Sequence, residues 1–223
     1  VLADGVAELN FAVFYTEYKD LQVSVFDGNI GFNVGNAAGM EVYGLELDGR
    51  WQLTENLMVS GSFAYLNAEF TDYELGPCAF TSAGIVDPDS VVNGIGFCDF
   101  AGRKPQLASD VQGTVRFNHY YPVSTDLALN TSLNVFYTSA YNASASDDPL
   151  LEQGGYARVD VRVALGQQDG DWEVAVLAEN ITNQETLLFG GDSPLAGSTF
   201  FAKSTYQFIG QGTTISLQAK INF

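Results

Sequence analysis

The chain has 223 residues, a formal net charge of −18, and 46% hydrophobic against 16% charged residues. That balance suits a folded chain rather than a disordered one, and the absence of any basic stripe excludes a nucleic-acid surface. No run of about eighteen apolar residues occurs, which excludes a transmembrane helix but leaves open a crossing by alternating strands, which a mean hydropathy of +0.04 permits.

In chain order, period-two alternation predicts nine strands, at 6–18, 20–33, 41–53, 57–70, 106–118, 127–138, 156–165, 172–180 and 213–223. Tyr43, Leu45, Leu47, Trp51 and Leu53 oppose Glu46, Asp48, Arg50 and Gln52. Further on, Leu107, Val111, Val115 and Phe117 oppose Gln106, Asp110, Gln112, Thr114 and Arg116. Val159, Val161, Val163 and Leu165 oppose Arg158, Asp160 and Arg162, and Trp172, Val174 and Val176 oppose Glu173 and Glu179. The last segment is the clearest, with Ile215, Leu217, Ala219, Ile221 and Phe223 on one face and Ser216, Gln218, Lys220 and Asn222 on the other.

Many of these runs exceed the five or six residues typical of soluble strands and match the roughly nine to eleven that a tilted membrane strand needs. Charges keep to the polar face, where a lumen would hydrate them; on a lipid face each Lys or Arg costs roughly 2–4 kcal/mol at mid-bilayer. Aromatic residues at strand ends, among them Tyr15, Trp51, Tyr121, Tyr137 and Trp172, suit interfacial girdles. The connections near Tyr18–Asp20, Thr54–Asn56, His119–Thr125 and Gln168–Asp171 are short, while 71–104, 139–155 and 182–205 are long. With the C-terminus on the periplasmic side, every long connection lies outside, together with a shorter one at 33–39. The expectation is an all-β, antiparallel transmembrane β-barrel, with a soluble secreted carbohydrate-binding sandwich and a passive channel or structural barrel as alternatives.

Cys78 and Cys98 share one Gly- and Asp-rich connection and no C-x-x-C motif occurs. A loop disulfide in an oxidising compartment is the preferred reading, stabilising by about 3 kcal/mol in the chain-entropy model; two unpaired thiols are the alternative. No catalytic constellation is visible around the one histidine, His119. No cofactor or metal site is expected, because Asp87-Pro88-Asp89 and Asp147-Asp148-Pro149 lack EF-hand spacing and read as turn initiators. Gly94-Ile95-Gly96 and Gly190-Gly191 read as turn glycines. The polar-face charges Arg50, Asp110, Arg116, Arg158, Asp160, Arg162 and Glu179 are the candidate functional set. They serve either as cross-strand ion pairs holding register or as contacts to something inside the lumen.

Several segments resemble the C-terminal barrel of TonB-dependent outer-membrane receptors. Phe14-Tyr15-Thr16-Glu17-Tyr18-Lys19-Asp20 resembles the family's hairpin with an aromatic, acidic turn, and Gly39-Met40-Glu41-Val42-Tyr43-Gly44-Leu45-Glu46-Leu47 the strand after an Asn- and Ala-rich turn. Ala101-Gly102-Arg103-Lys104-Pro105 resembles the start of the next strand after a variable loop. Asn180-Ile181-Thr182-Asn183 is similar to the ending of the penultimate strand, and Gln218–Phe223 to the terminal strand whose final Phe is read by the barrel-assembly machinery. The resemblance implies about nine strands of a larger, 22-stranded barrel, with residues 1–223 as its C-terminal portion and the plug domain outside this chain. It also implies the outer membrane of a Gram-negative bacterium, contact with outer-membrane lipid and the plug, coupling to TonB through the plug region, and no enzymatic activity. Energy-coupled uptake of a scarce large solute follows from it, a ferric siderophore, haem, cobalamin or a glycan.

Overall fold

The computed structural model describes residues 6–26, 32–79, 97–193 and 203–222, and only the backbone of 24–26 and 32–38. In chain order the strands are β1 (Ala7–Phe26), β2 (Phe32–Thr54), β3 (Leu57–Asp72), β4 (Gly76–Pro77), β5 (Phe97–Cys98), β6 (Val111–Pro122) and β7 (Leu127–Thr138). There follow β8 (Tyr141–Asn142), β9 (Glu152–Gln153), β10 (Tyr156–Gln167), β11 (Trp172–Glu179), β12 (Leu187–Asp192), β13 (Thr205–Ile209) and β14 (Thr214–Ile221), with a 3₁₀ turn at Pro149–Leu151. Eight of them form one sheet in the order β1-β2-β3-β6-β7-β10-β11-β14, and every pair is antiparallel. This is an up-and-down meander with β1 and β14 at its two edges, so the sheet does not close on itself. The remaining strands pair two by two within the loops.

Alternation in the sequence becomes two chemically opposite faces because the register carries apolar residues onto apolar ones across the whole sheet. One row runs Trp51, Val59, Phe117, Leu133, Val161, Ala178, Ile215 from β2 to β14. The adjacent row on the other face runs Glu8, Arg50, Ser60, Arg116, Asn134, Asp160. Among the described residues no second layer covers the apolar face: Phe11 is 64% exposed, Val13 69% and Leu217 74%. A water-soluble sandwich buries this face against a second sheet, and an uncovered apolar surface of this extent belongs in a bilayer. No helix among the described residues is long and apolar enough to cross a membrane.

The register also sets the strand tilt. Trp51, near the short-turn end of β2, shares its row with Ile215, whereas the short-turn end of β14 is Ile221, opposite Trp172. The boundary therefore slips by six residues over six strand steps. At about 3.3 Å per residue and about 4.8 Å between strands, that slip is a tilt of roughly 35°, within the range of membrane barrels.

Two sequence expectations change. Segments 6–18 and 20–33 are not separate strands joined at Tyr18–Asp20, as the aromatic, acidic hairpin resemblance implied; β1 runs through. Asp20 takes φ 54°, a left-handed conformation that Asp tolerates, and the register shifts between Tyr18 and Leu21. The polar cluster makes a β-bulge instead of a turn, and 33–39 belongs to β2 rather than to a connection. Eight long strands replace nine, and β1 ascends towards the loop end. Likewise β6 begins at Val111; Leu107, at φ 63°, leaves the alternation, and Asp110 stands just before the strand. Asp87-Pro88-Asp89, Gly94-Ile95-Gly96 and Phe223 lie outside the described residues.

Short turns at 55–56, 123–126 and 168–171 occupy one end of the sheet, and the connections 73–110, 139–155 and 180–213 the other. At the loop end β1 and β2, of 20 and 23 residues, outrun the span a bilayer requires. The buried cores are small and also lie at that end. Tyr73, Cys98 and Phe100 pack on Phe70, Leu21 and Val23, and Ala143, Leu151 and Leu187 pack beside Tyr141. Face orientation is testable by a neighbouring pair on β3. Phe63→Arg, on the apolar face, is expected to cost about 2–4 kcal/mol and to reduce the folded fraction measured by heat-modifiable gel mobility. Ser62→Arg, opposite Asp48 on the polar face, is expected to leave that fraction near wild type.

Candidate functional site

The polar wall carries the charges singled out in the sequence, and the structure sorts them into two groups. Arg50 lies directly opposite Glu8 and pairs with it at 2.9 Å. Arg162 reaches Glu173 on β11 past Ala164 and Gly166, a methyl group and a bare Cα that leave room for the guanidinium. Arg158 stands 3.7 Å from Asp160 on the same strand, and Asp160 accepts the Asn180 backbone N–H at 2.8 Å. Asp110 is bound by Lys104 at 2.5 Å, at the loop end rather than within the strand ladder. Arg116 and Glu179 form no ion pair with any described residue. They remain available to a group that approaches the wall.

At the loop end, Cys78 and Cys98 are joined in a disulfide beside the β4–β5 ladder, in which Gly76 faces Cys98. The bond staples the base of the connection against Tyr73 and Phe100, whose rings meet edge to face at 5.5 Å. Arg103 lies over the Phe100 ring at 4.9 Å and pairs with Asp147 at 3.4 Å. This contact joins the 73–110 connection to the 139–155 loop. Between them lies a cleft of about 510 Å³ lined by Arg103, Lys104, Asp110, Asp147 and Glu152.

The described residues of the 139–155 and 180–213 loops form a folded body of their own. Asp148, 1% exposed, caps the 3₁₀ turn by accepting the Leu150 N–H at 2.9 Å and is ion-paired with Lys203. Asn142 donates to the Asp148 carbonyl, and the Tyr141 hydroxyl donates to the Leu187 carbonyl at 2.8 Å. Burial, then the neighbouring Tyr156, push the Tyr141 phenol up to about 12. Its bond to Leu187 is therefore present below the phenol's ordinary 10.0 and is lost only as pH rises through about 12. The β12–β13 hairpin lies on this body through Gly190, where a Cβ would touch Leu151. It leaves Phe189, Tyr206 and Phe208 clustered and exposed, with ring centroids 5.9–6.2 Å apart.

Asn180 explains the Asn-Ile-Thr-Asn ending of β11. At φ 51° it turns the chain. Its buried amide donates to the Gln184 and Gln211 carbonyls at 3.0 and 3.1 Å and accepts the Gln184 N–H, while Thr213 donates to its carbonyl at 2.7 Å. One side chain thus fastens the end of β11 to the start of β14. His119 stacks on Tyr121 at 6.4 Å near the short-turn end. Among the described residues no group of three or more His, Cys, Asp or Glu is placed to hold a metal ion.

The Asp148–Lys203 clasp and the aromatic hairpin escaped sequence reading. Asp147-Asp148-Pro149 carried the mark of a turn, but its buried cation lies 55 residues away in sequence, as the numbers 148 and 203 show. Phe189, Tyr206 and Phe208 fall in a stretch whose strand alternation is short and irregular.

Comparison with known proteins follows the same lines. Residues 2–183 match the family model described as TonB dependent receptor-like, beta-barrel. No curated protein sequence matches significantly. Among solved structures, the ferric yersiniabactin uptake receptor FyuA from Yersinia pestis is similar at TM-score 0.70 and 19% identity, over 98% of this chain and 28% of that one. The siderophore receptor PiuA from Acinetobacter baumannii is similar at 0.65 and 14% identity, over 98% and 26%. The copper transporter OprC gives 0.64 and 11%, over 98% and 30%. The chain thus spans between a quarter and a third of the length of these structures.

Mass spectrometry of a non-reduced digest is expected to yield a Cys78–Cys98 linked peptide that separates on reduction. Lys203→Met leaves the Asp148 carboxylate buried without its cation, a loss of about 3–5 kcal/mol to the loop body. Hydrogen exchange should read this as faster exchange of the Leu150 and Leu151 amides, with the β7 and β10 amides unchanged.

Proposed function

Because the chain belongs to the TonB-dependent receptor β-barrel family, whose members stand in the outer membrane of Gram-negative bacteria, we propose that it is the closing C-terminal arc of an energy-coupled uptake receptor. The observation that carries this is the eight-stranded open sheet, apolar and uncovered on one side, charged on the other, with its long loops gathered at one end. Open edges are not tolerated in hydrocarbon, so further strands on β1 and β14 complete the wall. The loop end faces outward and takes up a scarce, large solute. A ferric siderophore, haem, cobalamin or a glycan fits that role, and the first class has support from the uptake receptors that this fold resembles.

In this reading the loops 73–110, 139–155 and 180–213 recognise the solute, and no residue performs covalent chemistry. The exposed rings of Phe189, Tyr206 and Phe208 offer stacking faces to a flat or ringed solute. On the polar wall, Arg116 and Glu179 contact the plug or the passing solute, while the paired charges hold register. TonB acts through the plug, and the terminal strand with Phe223 is the assembly signal.

In a host lacking TonB, uptake of the solute is expected to fall to background with surface binding retained; undiminished uptake would make the barrel a passive channel. Replacing Phe189, Tyr206 and Phe208 together by Ala is expected to weaken solute binding to whole cells at least tenfold, about 1.4 kcal/mol. Surface abundance, measured by antibody labelling, should stay unchanged.

A further inference from the structure

The apolar face carries a hollow. Gly49 on β2 and Gly61 on β3 face each other directly, and Gly113 on β6 lies opposite Phe63. Adjacent strands therefore lack side chains at neighbouring points. The glycines are demanded by the backbone: a Cβ on Gly49 would stand 2.8 Å from the Glu8 carbonyl oxygen, and one on Gly61 2.7 Å from that of Thr114. Around this bare floor stand Leu9, Leu47, Trp51, Val59, Phe63 and Val115, bordering an open, shallow groove of about 440 Å³.

We propose that this groove seats one acyl chain of a phospholipid from the leaflet at the short-turn end. The proposal rests on the membrane reading above, since the groove is continuous with the apolar surface that the bilayer covers. Its extent matches one leaflet. From the Trp51–Val59 pair to the Leu47–Phe63 pair is four residues along the strand. That is about 13 Å of strand, or about 11 Å of depth at a tilt of roughly 35°, against about 15 Å for half of the hydrocarbon core. Its volume corresponds to roughly fifteen groups the size of a liquid water at about 30 Å³ each, enough for a chain but not for a helix some 10 Å across.

The rim selects the headgroup. Below the groove the turn at 54–57 carries Glu55 as its one charge, and Arg50 is on the opposite face, held by Glu8. Among the described residues no Lys or Arg on this face stands at that rim to clamp an anionic lipid, so the occupant is a zwitterionic phospholipid. Trp51 stands at the lower rim, where an indole N–H meets the interface.

The test uses the full-length receptor in nanodiscs containing phosphatidylethanolamine with a diazirine on the acyl chain, and maps adducts by mass spectrometry after photolysis. Adducts on Leu9, Leu47, Val59 and Val115 are expected at least threefold above those on Val176 and Leu217, apolar-face residues with no such groove. Val59→Phe, which fills the hollow, is expected to lower the Leu9 and Leu47 yields to the reference level, whereas Leu217→Phe leaves them unchanged. Equal yields at both sets overturn the groove while the membrane reading stands, as does labelling of the groove only by an anionic lipid. Absence of adducts from the whole apolar face overturns both.

Discussion

Backbone pairing without water is the constraint on which the rest of this structure depends. In hydrocarbon an unpaired N–H or C=O costs several kcal/mol, so each strand must be hydrogen-bonded along both sides wherever lipid surrounds it. The meander meets that demand across the sheet through an antiparallel register that runs almost without slippage from β2 to β14. Its irregularities fall elsewhere, at the Asp20 bulge and at the ends of β2. Glycines appear where this ladder draws strands too close for a Cβ, as at Gly44, whose Cβ would stand 2.2 Å from the Tyr65 carbonyl oxygen.

With the ladder fixed, the hydrophobic effect works in an inverted arrangement. The large apolar side chains face outward and rely on lipid, so the described residues contain only two small buried clusters, both among the loops. Stability outside the bilayer needs other means. A disulfide at the base of the first long connection restricts the unfolded chain. A buried ion pair between Asp148 and Lys203 joins two loops that are distant in sequence. Such a pair stabilises little compared with well-packed apolar groups, but it is specific, because either charge left alone is costly.

The same inversion organises function. A wall on which Arg50, Arg158 and Arg162 each stand beside a carboxylate keeps its register and stays hydrated, while Arg116 and Glu179 form no ion pair with any described residue. The loop body places three aromatic rings on the outer side of a hairpin that is itself anchored through Gly190 and Leu151. Rigid, half-exposed rings lose less conformational entropy on contact than long flexible side chains do. On the outer wall, the glycines that the ladder requires leave a hollow that lipid must fill.

Alternation in the sequence was sufficient to establish strands, their two faces and the separation of short turns from long loops, because side-chain direction in a strand depends only on parity. Six of the seven candidate charges share the polar face of the sheet, and Asp110 precedes its strand. Where a polar cluster interrupts the alternation, parity is silent: Tyr18–Asp20 reads equally as a turn or as a bulge, and only pairing with β2 decided that β1 continues. Partners were likewise beyond sequence. Arg50 and Glu8 are 42 positions apart, as their numbers show, yet directly opposed, and nothing local distinguishes Arg50 from the unpaired Arg116. The groove on the outer wall arises only when Gly49 and Gly61 meet across a register. Sequence determined which residues share a face; tertiary structure decided which of them touch, because contact depends on long-range register rather than on spacing along the chain.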